Sequence, residues 1–187
     1  MEDLLILVDA EDREIGYGEK METHAKEQLH RAFSLFIFNE NSGEMLIHRR
    51  AADKYHSGGL WTNACCSHPR KGEVLQEAVL RRMEEELGIC PKALGDAVST
   101  LRELGSFTYY HRFADCAEHE VDHVFLMCVK GAPLLRPDPD EIAETMWVPT
   151  EQLVKWLESC PEQFTAWFPK AFAIALIALP CSTERLT

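Results

Sequence analysis

Val74-Leu75-Gln76-Glu77-Ala78-Val79-Leu80-Arg81-Arg82-Met83-Glu84-Glu85-Glu86-Leu87, closed by Gly88-Ile89, carries the clearest side-chain period in the chain. Leu75, Val79, Leu80, Met83 and Leu87 recur at helical spacing, so residues 74–87 form a helix with one apolar stripe. Gly88 stands where a left-handed residue stops such a helix. The polar face is crowded: Glu73 precedes it, and Arg81 and Arg82 sit among Glu77, Glu84, Glu85 and Glu86. Its plainer reading is a solvated face with the pairs Glu77–Arg81, Arg81–Glu85 and Arg82–Glu86. Each pair would be worth only about 0.3–0.5 kcal/mol.

Working outward, the segments around this helix read as strands. Residues 32–38 (AFSLFIF) are a near-continuous apolar run fit for a buried strand. A turn at 39–43 returns the chain through 45–48, which predicts a hairpin. Residues 4–8, 106–112, 121–129 and 145–148 are the other expected strands, and 133–139 (PLLRPDP) an irregular connection. A helix over 150–158 is expected to open on a Thr150 cap, and a mostly buried helix to close the chain over 166–179. One strong helix among irregularly alternating strands points to an α/β or α+β sandwich, not a doubly wound sheet.

The 187 residues, 46% hydrophobic and 27% charged, suit a single globular domain spanning 1–187. A net charge of −12 argues against nucleic acid and against acidic membrane surfaces. That charge is uneven. Residues 1–30 hold nine acids against three bases, whereas 48–54 hold three bases against Asp53 alone, so a local anion pocket stays open. Seven cysteines, with no C-x-x-C pair, fit neither a disulfide framework nor a zinc ribbon. The acidic N-terminus does not read as a signal peptide, and the apolar run 171–179 is too short for a bilayer. A cytoplasmic setting is therefore expected, while the oligomeric state is left open.

Several chemistry-bearing residues stand out by spacing. In an extended segment Cys66 and His68 share a side, as do Glu118 and Glu120. Three histidines, His24, His30 and His68, with two carboxylates make a sensible zinc or first-row metal set. Spacing alone does not separate them from His48, His56, His111, His119 and His123.

The helix also resembles a Nudix box, G-x5-E-x7-R-E-U-x-E-E-x-G-U, matching at Glu73, Arg81, Met83, Glu85, Glu86, Gly88 and Ile89. Ser67 replaces the first glycine, and Arg82 replaces the glutamate after the arginine. With Glu19-Lys20, His24, Leu29-His30-Arg31-Ala32-Phe33-Ser34, Arg49-Arg50, Lys54, Trp61-Thr62-Asn63 and Cys66-Ser67-His68-Pro69, the chain is similar to type I isopentenyl-diphosphate isomerases. Glu118-His119-Glu120-Val121-Asp122, Pro137-Asp138-Pro139 before Glu141-Ile142, and Thr165-Ala166-Trp167-Phe168 continue the match, in order, over residues 19–168.

The resemblance implies a Nudix-like α/β/α sandwich with a mixed sheet. It implies a metal-dependent isomerisation of isopentenyl to dimethylallyl diphosphate, passing through a tertiary carbocation-like species. Cys66 and Glu120 would handle protons, and Tyr109, with Tyr110 as the alternative, would hydrogen-bond that glutamate. Trp167 would face the cation, with Trp61 in the wall. Lys20, Arg50, Lys54 and Arg82 would clamp the diphosphate, with Arg49 and Arg31 as lesser candidates. His24, His30, His68, Glu118 and Glu120 would hold one Mn²⁺ or Zn²⁺, and Glu86 a Mg²⁺ that comes with the substrate. The spacer 113–117 lacks the glycine expected there. A Nudix hydrolase and a protein with a structural zinc at Cys66 and His68 are the competing readings.

Overall fold

The structure, a computed structural model, describes residues 4–179. Its centre is the strand predicted from AFSLFIF, here β3 (His30–Asn39), in which alternate side chains face opposite ways. Phe33, Leu35 and Ile37 pack on one side against Ala78, Val79, Met83 and Leu87 of α2 (Leu75–Leu87). Phe36 and Phe38 pack on the other, against α3 (Thr150–Ser159) and α4 (Phe168–Ile177), through Leu153, Phe168 and Phe172. The sheet is thus covered on both faces. The chain folds as an α/β/α sandwich because β3 is apolar on both pleats.

Nine strands among the described residues make one mixed sheet. β8 (Ala117–Val129) lies parallel to β3 with His30 opposite Glu120, and β7 (Arg102–Arg112) pairs antiparallel with β8. β4 (Glu44–Arg50) forms the predicted hairpin with β3, but their ladder covers only Ile37–Asn39. Farther back, β6 (Cys65–Ser67) takes the place of β4, with Ser34 opposite Cys66. β4 meanwhile pairs with β5 (Trp61–Thr62) and β9 (Ile142–Pro149). The sheet therefore forks beside β3. β1 (Leu4–Val8) and β2 (Glu14–Glu19) form an N-terminal hairpin, and α1 (Lys20–Ala25) leads from it towards the fork.

Two helix starts and one side-chain pairing depart from expectation. Thr150 does not cap α3: Pro149 holds that position, and the Thr150 hydroxyl donates to the Gly43 carbonyl at 3.0 Å. The last helix begins at Phe168 rather than 166. Thr165 is tied to the Trp61 carbonyl by its N–H at 3.0 Å, and Pro169 sets the first turn. On α2, Arg81 reaches back to Glu73 (2.6 Å) and forward to Glu85 (3.0 Å), not to Glu77. The pairs Arg81–Glu85 and Arg82–Glu86 do form.

Gly88 ends α2 with φ 64°, and a Cβ there would lie 2.5 Å from the Arg136 carbonyl oxygen. That carbonyl belongs to the connection whose Arg136 N–H bonds Leu87 at 2.8 Å, so neither side can retreat cheaply. Gly88→Ala is expected to lower unfolding free energy by about 1–3 kcal/mol, from left-handed strain plus crowding. The midpoint of a urea titration checks it, and an unchanged midpoint refutes it.

Candidate active site and metal centre

The fork in the sheet is where the predicted residues meet. An open pocket, with about 490 Å³ of empty space that runs out into solvent, is lined by Lys20, Arg50, Lys54, Cys66, His68, Arg82, Glu86, Glu118, Glu120 and Trp167. β6 presents Cys66 from one side of β3, and β8 presents Glu118 and Glu120 from the other. The period-two rule holds there: Glu118 and Glu120 are buried and turned inward, while His119 between them hydrogen-bonds the Glu27 carbonyl through Nδ1 at 3.0 Å.

His24, His30, His68 and Glu120 each offer one ligand atom, all within 4.8 Å of one another. His24 Nδ1–H donates to the Lys20 carbonyl at 2.7 Å, and His30 Nδ1–H to the Gln28 carbonyl at 2.8 Å. A neutral imidazole bonded in this way keeps its lone pair on Nε2, the arrangement that metal-binding histidines use. The lone pairs converge: His30 Nε2 lies 3.2 Å from His68 Nε2 and 3.4 Å from Glu120 Oε1, and His68 Nε2 lies 3.0 Å from the same oxygen. His24 Nε2 is buried with no hydrogen-bond partner. Burial lowers the pKa of His24 to about 4 and that of His68 to about 3, so both rings stay neutral. Burial opposes ionisation of Glu120; His30 and His68 hold its carboxyl well below the usual range only when they turn a proton towards it, and as neutral rings facing it with lone pairs they leave that task to a cation. Acceptors gathered without donors fit a divalent cation.

Glu118 does not join this group, contrary to expectation. Its Oε1 lies 3.1 Å from His56 Nε2, and its Oε2 accepts the Tyr109 hydroxyl. Tyr109 is accordingly the buried phenol, but its partner is Glu118, not Glu120. Tyr110 is half-exposed and bonds Glu27 on the surface. The spacer before Glu118 needs no glycine, since none of its residues has a positive φ.

The cations line the opposite wall. Arg50 is buried with an unpartnered Nε, its Nη1 4.0 Å from Cys66 Sγ and its Cζ 5.5 Å from the Trp167 ring. Lys54 pairs with Glu141 at 2.6 Å, and Arg82 Nε donates to Glu86 at 3.0 Å. Burial, then the neighbouring Lys54, lowers the Lys20 pKa, a sign of cations crowded together. Burial pushes the Cys66 thiol up and keeps it protonated, in spite of Arg50. Burial likewise raises Glu86, against the pull of Arg82. Trp167 is fixed by its Nε1–H donating to Asn63 at 3.3 Å. Trp61 does not line the cavity; it packs edge-on against Trp156 in the core. Arg49 and Arg31 lie elsewhere, paired with Glu144 at 3.1 Å and Asp12 at 2.8 Å.

Four lining residues carry no assigned role in the sequence: Tyr55, His56, Asp122 and Glu141. Asp122 extends the Glu118–Glu120 alternation by one step and accepts the Ser34 hydroxyl at 2.8 Å. The other three lie on loops, where spacing carries no signal.

The remaining histidines are structural. His123 sits between Glu103 (2.7 Å) and Asp12 (3.0 Å), and His111 packs against Phe113. His48 is buried in β4, 3.2 Å from the Ala64 carbonyl. Its pKa is lowered to about 4, by burial first and by Arg50 second. The unfolded chain protonates this residue near 6.5, so stability present at neutral pH falls as pH drops from about 6.5 towards 4. The loss amounts to about 3 kcal/mol. His48→Gln is expected to flatten the stability–pH slope in that window by about one proton, and equal slopes would count against it.

Fold and site together define the class of protein. The NUDIX domain model matches residues 28–168, and the chain shares its fold with a protein from Deinococcus radiodurans (TM-score 0.71, 21% identity, 94% of this chain and 99% of that one). A MutT protein from Methanosarcina mazei gives a TM-score of 0.59 at 22% identity, covering 81% of this chain and 96% of that one. Among curated proteins, an isopentenyl-diphosphate Delta-isomerase of Burkholderia multivorans is 43% identical, over 90% of each chain. Another, from Photorhabdus laumondii, is 41% identical over 91% of this chain and 90% of its own. The chain belongs to the isopentenyl-diphosphate Delta-isomerase family of NUDIX proteins. The NUDIX fold and the histidine–glutamate cluster are compatible with divalent metal binding.

Proposed function

We propose that this chain interconverts isopentenyl and dimethylallyl diphosphate, within isoprenoid biosynthesis, by adding one proton to the alkene and removing another. The observation that carries this reading is that one cavity holds Cys66, Glu120 and Trp167 together with the four cations Lys20, Arg50, Lys54 and Arg82. A 1,3-proton shift needs a group that gives a proton and a group that takes one. The protonated Cys66 thiol and the ionised Glu120 carboxylate hold one proton between them, which suits that task. The Trp167 face stabilises a carbocation without a nucleophile that would trap it, an effect worth about 2 kcal/mol when desolvated.

The diphosphate is gripped by Arg50, whose buried Nε lacks an acceptor, and by Lys20, Lys54 and Arg82. Arg82 stands where a Nudix hydrolase keeps a metal-binding glutamate, which favours binding over hydrolysis. His24, His30, His68 and Glu120 would hold a Mn²⁺ or Zn²⁺, and Glu86 a Mg²⁺ with the substrate. When bound, these ions supply charge that tunes the Glu120 carboxyl and screens the diphosphate. The motif-bearing unit is taken as one isomerase domain. Among the described residues no helix is long and apolar enough to cross a membrane, and the described cysteines are free. Both support a cytoplasmic enzyme.

The test is proton NMR of isopentenyl diphosphate with the protein and Mg²⁺ in D₂O. Appearance of the allylic isomer with deuterium incorporation is expected. Phosphate release from nucleoside diphosphate derivatives without isomerisation would overturn the reading in favour of a hydrolase.

A further inference from the structure

No role is assigned above to Glu141, yet two of the four pocket cations are engaged with it. Its Oε2 accepts from Lys54 at 2.6 Å, and its Oε1 lies 3.5 Å from Arg82 Nη2. The same Arg82 guanidinium bonds Glu85 and Glu86, so it lies among three carboxylates, of which Glu86 and Glu141 line the pocket. Those carboxylates differ in setting: the Glu86 side chain is 5% exposed and the Glu141 side chain 28%, on the open side of the pocket. The Glu141 backbone is anchored independently, its carbonyl accepting the Ala51 N–H at 2.9 Å. The side chain can therefore exchange partners without moving the strand that follows.

We propose that Glu141 is a positioning residue acting as an exchangeable counter-ion: it holds Lys54 and Arg82 on the wall of the free pocket and yields them to a diphosphate accompanied by a divalent cation. The proposal rests on the diphosphate reading above and extends it to the order of charge exchange. A bare diphosphate that took both cations would leave Glu141 and Glu86 facing each other with no guanidinium between them. Like charges so placed repel, and more strongly away from bulk water. A diphosphate that brings its own divalent cation leaves both carboxylates with a positive neighbour. Glu141 thus penalises metal-free anions and couples cation binding to substrate binding, and the coupling is reciprocal.

Calorimetry with inorganic pyrophosphate tests this, comparing chelator against excess Mg²⁺ for the wild type, Glu141→Gln and Glu144→Gln. Glu144 pairs with Arg49 on the surface and serves as the control. In Glu141→Gln, metal-free pyrophosphate is expected to bind about tenfold tighter, and the Mg²⁺ enhancement to shrink by the same factor. Glu144→Gln is expected to match the wild type. Lys54→Met, which removes the partner and keeps the carboxylate, should weaken metal-free binding instead. The proposal fails if Glu141→Gln binds metal-free pyrophosphate no tighter, or if the full Mg²⁺ enhancement persists. If pyrophosphate binds neither protein in either condition, the diphosphate reading itself is overturned.

Discussion

Cys66→Ala and Glu120→Gln are each expected to lower kcat by about a thousandfold or more while the protein still binds diphosphate. Removing a positioned acid or base typically costs a factor of about 10²–10⁴, and an unactivated alkene, a very weak base, belongs at the upper end. The diphosphate contacts sit on other side chains. Arg50, Lys54 and Arg82 keep their partners when Cys66 loses its sulfur, apart from the long 4.0 Å approach of Arg50. Cys66→Ala should leave metal content intact, because Cys66 is outside the histidine cluster. Glu120→Gln should lower both turnover and metal content. Deuterium exchange followed by NMR, with calorimetric pyrophosphate binding and metal analysis, separates these outcomes. Near-normal turnover in either variant removes that residue from the acid–base pair.

Loss of the cation proposed for the histidine cluster is expected to be the next most severe. His30→Ala or His68→Ala should take bound Mn²⁺ or Zn²⁺ from one per chain to near zero and lower kcat by about 10²-fold or more. The fold should survive. The core on either face of β3 is built from Phe33, Leu35, Ile37, Phe36 and Phe38 against the helices, and no residue of the ligand set belongs to it. Chelation should therefore leave circular dichroism unchanged and lower the melting temperature only by the lost binding free energy, a few kcal/mol. Unfolding on chelation would mean a structural metal and would overturn the catalytic assignment.

The fold was legible where a side-chain period is long and unbroken. The α2 stripe and the two-faced β3 run are such cases, and together they set the sandwich. Ends were less legible, because they depend on partners far along the chain: Gly43 takes the Thr150 hydroxyl, and Trp61 anchors Thr165. At the site, alternation placed Glu118 and Glu120 on one face but said nothing of how far along that face a ligand would sit. Two residues of strand separate them by about 7 Å. This offset puts Glu120 among the histidines and hands Glu118 to Tyr109 and His56. Asp122 obeys the same alternation but is hidden in an apolar stretch. Glu141 and His56 reach the pocket from loops, whose paths no periodicity encodes.

The hydrogen bonds from His24 and His30 to the Lys20 and Gln28 carbonyls have a wider consequence. Both acceptors are main-chain atoms, so the proton placement of these two imidazoles depends on the course of the chain and not on which side chains occupy residues 20 and 28. Glu27 adopts φ 57° just before Gln28, and the Gln28 N–H is pinned to the Thr23 carbonyl at 3.0 Å, which makes that course a defined turn. Affinity for the proposed cation would thus respond to the shape of this turn while every ligand stays the same.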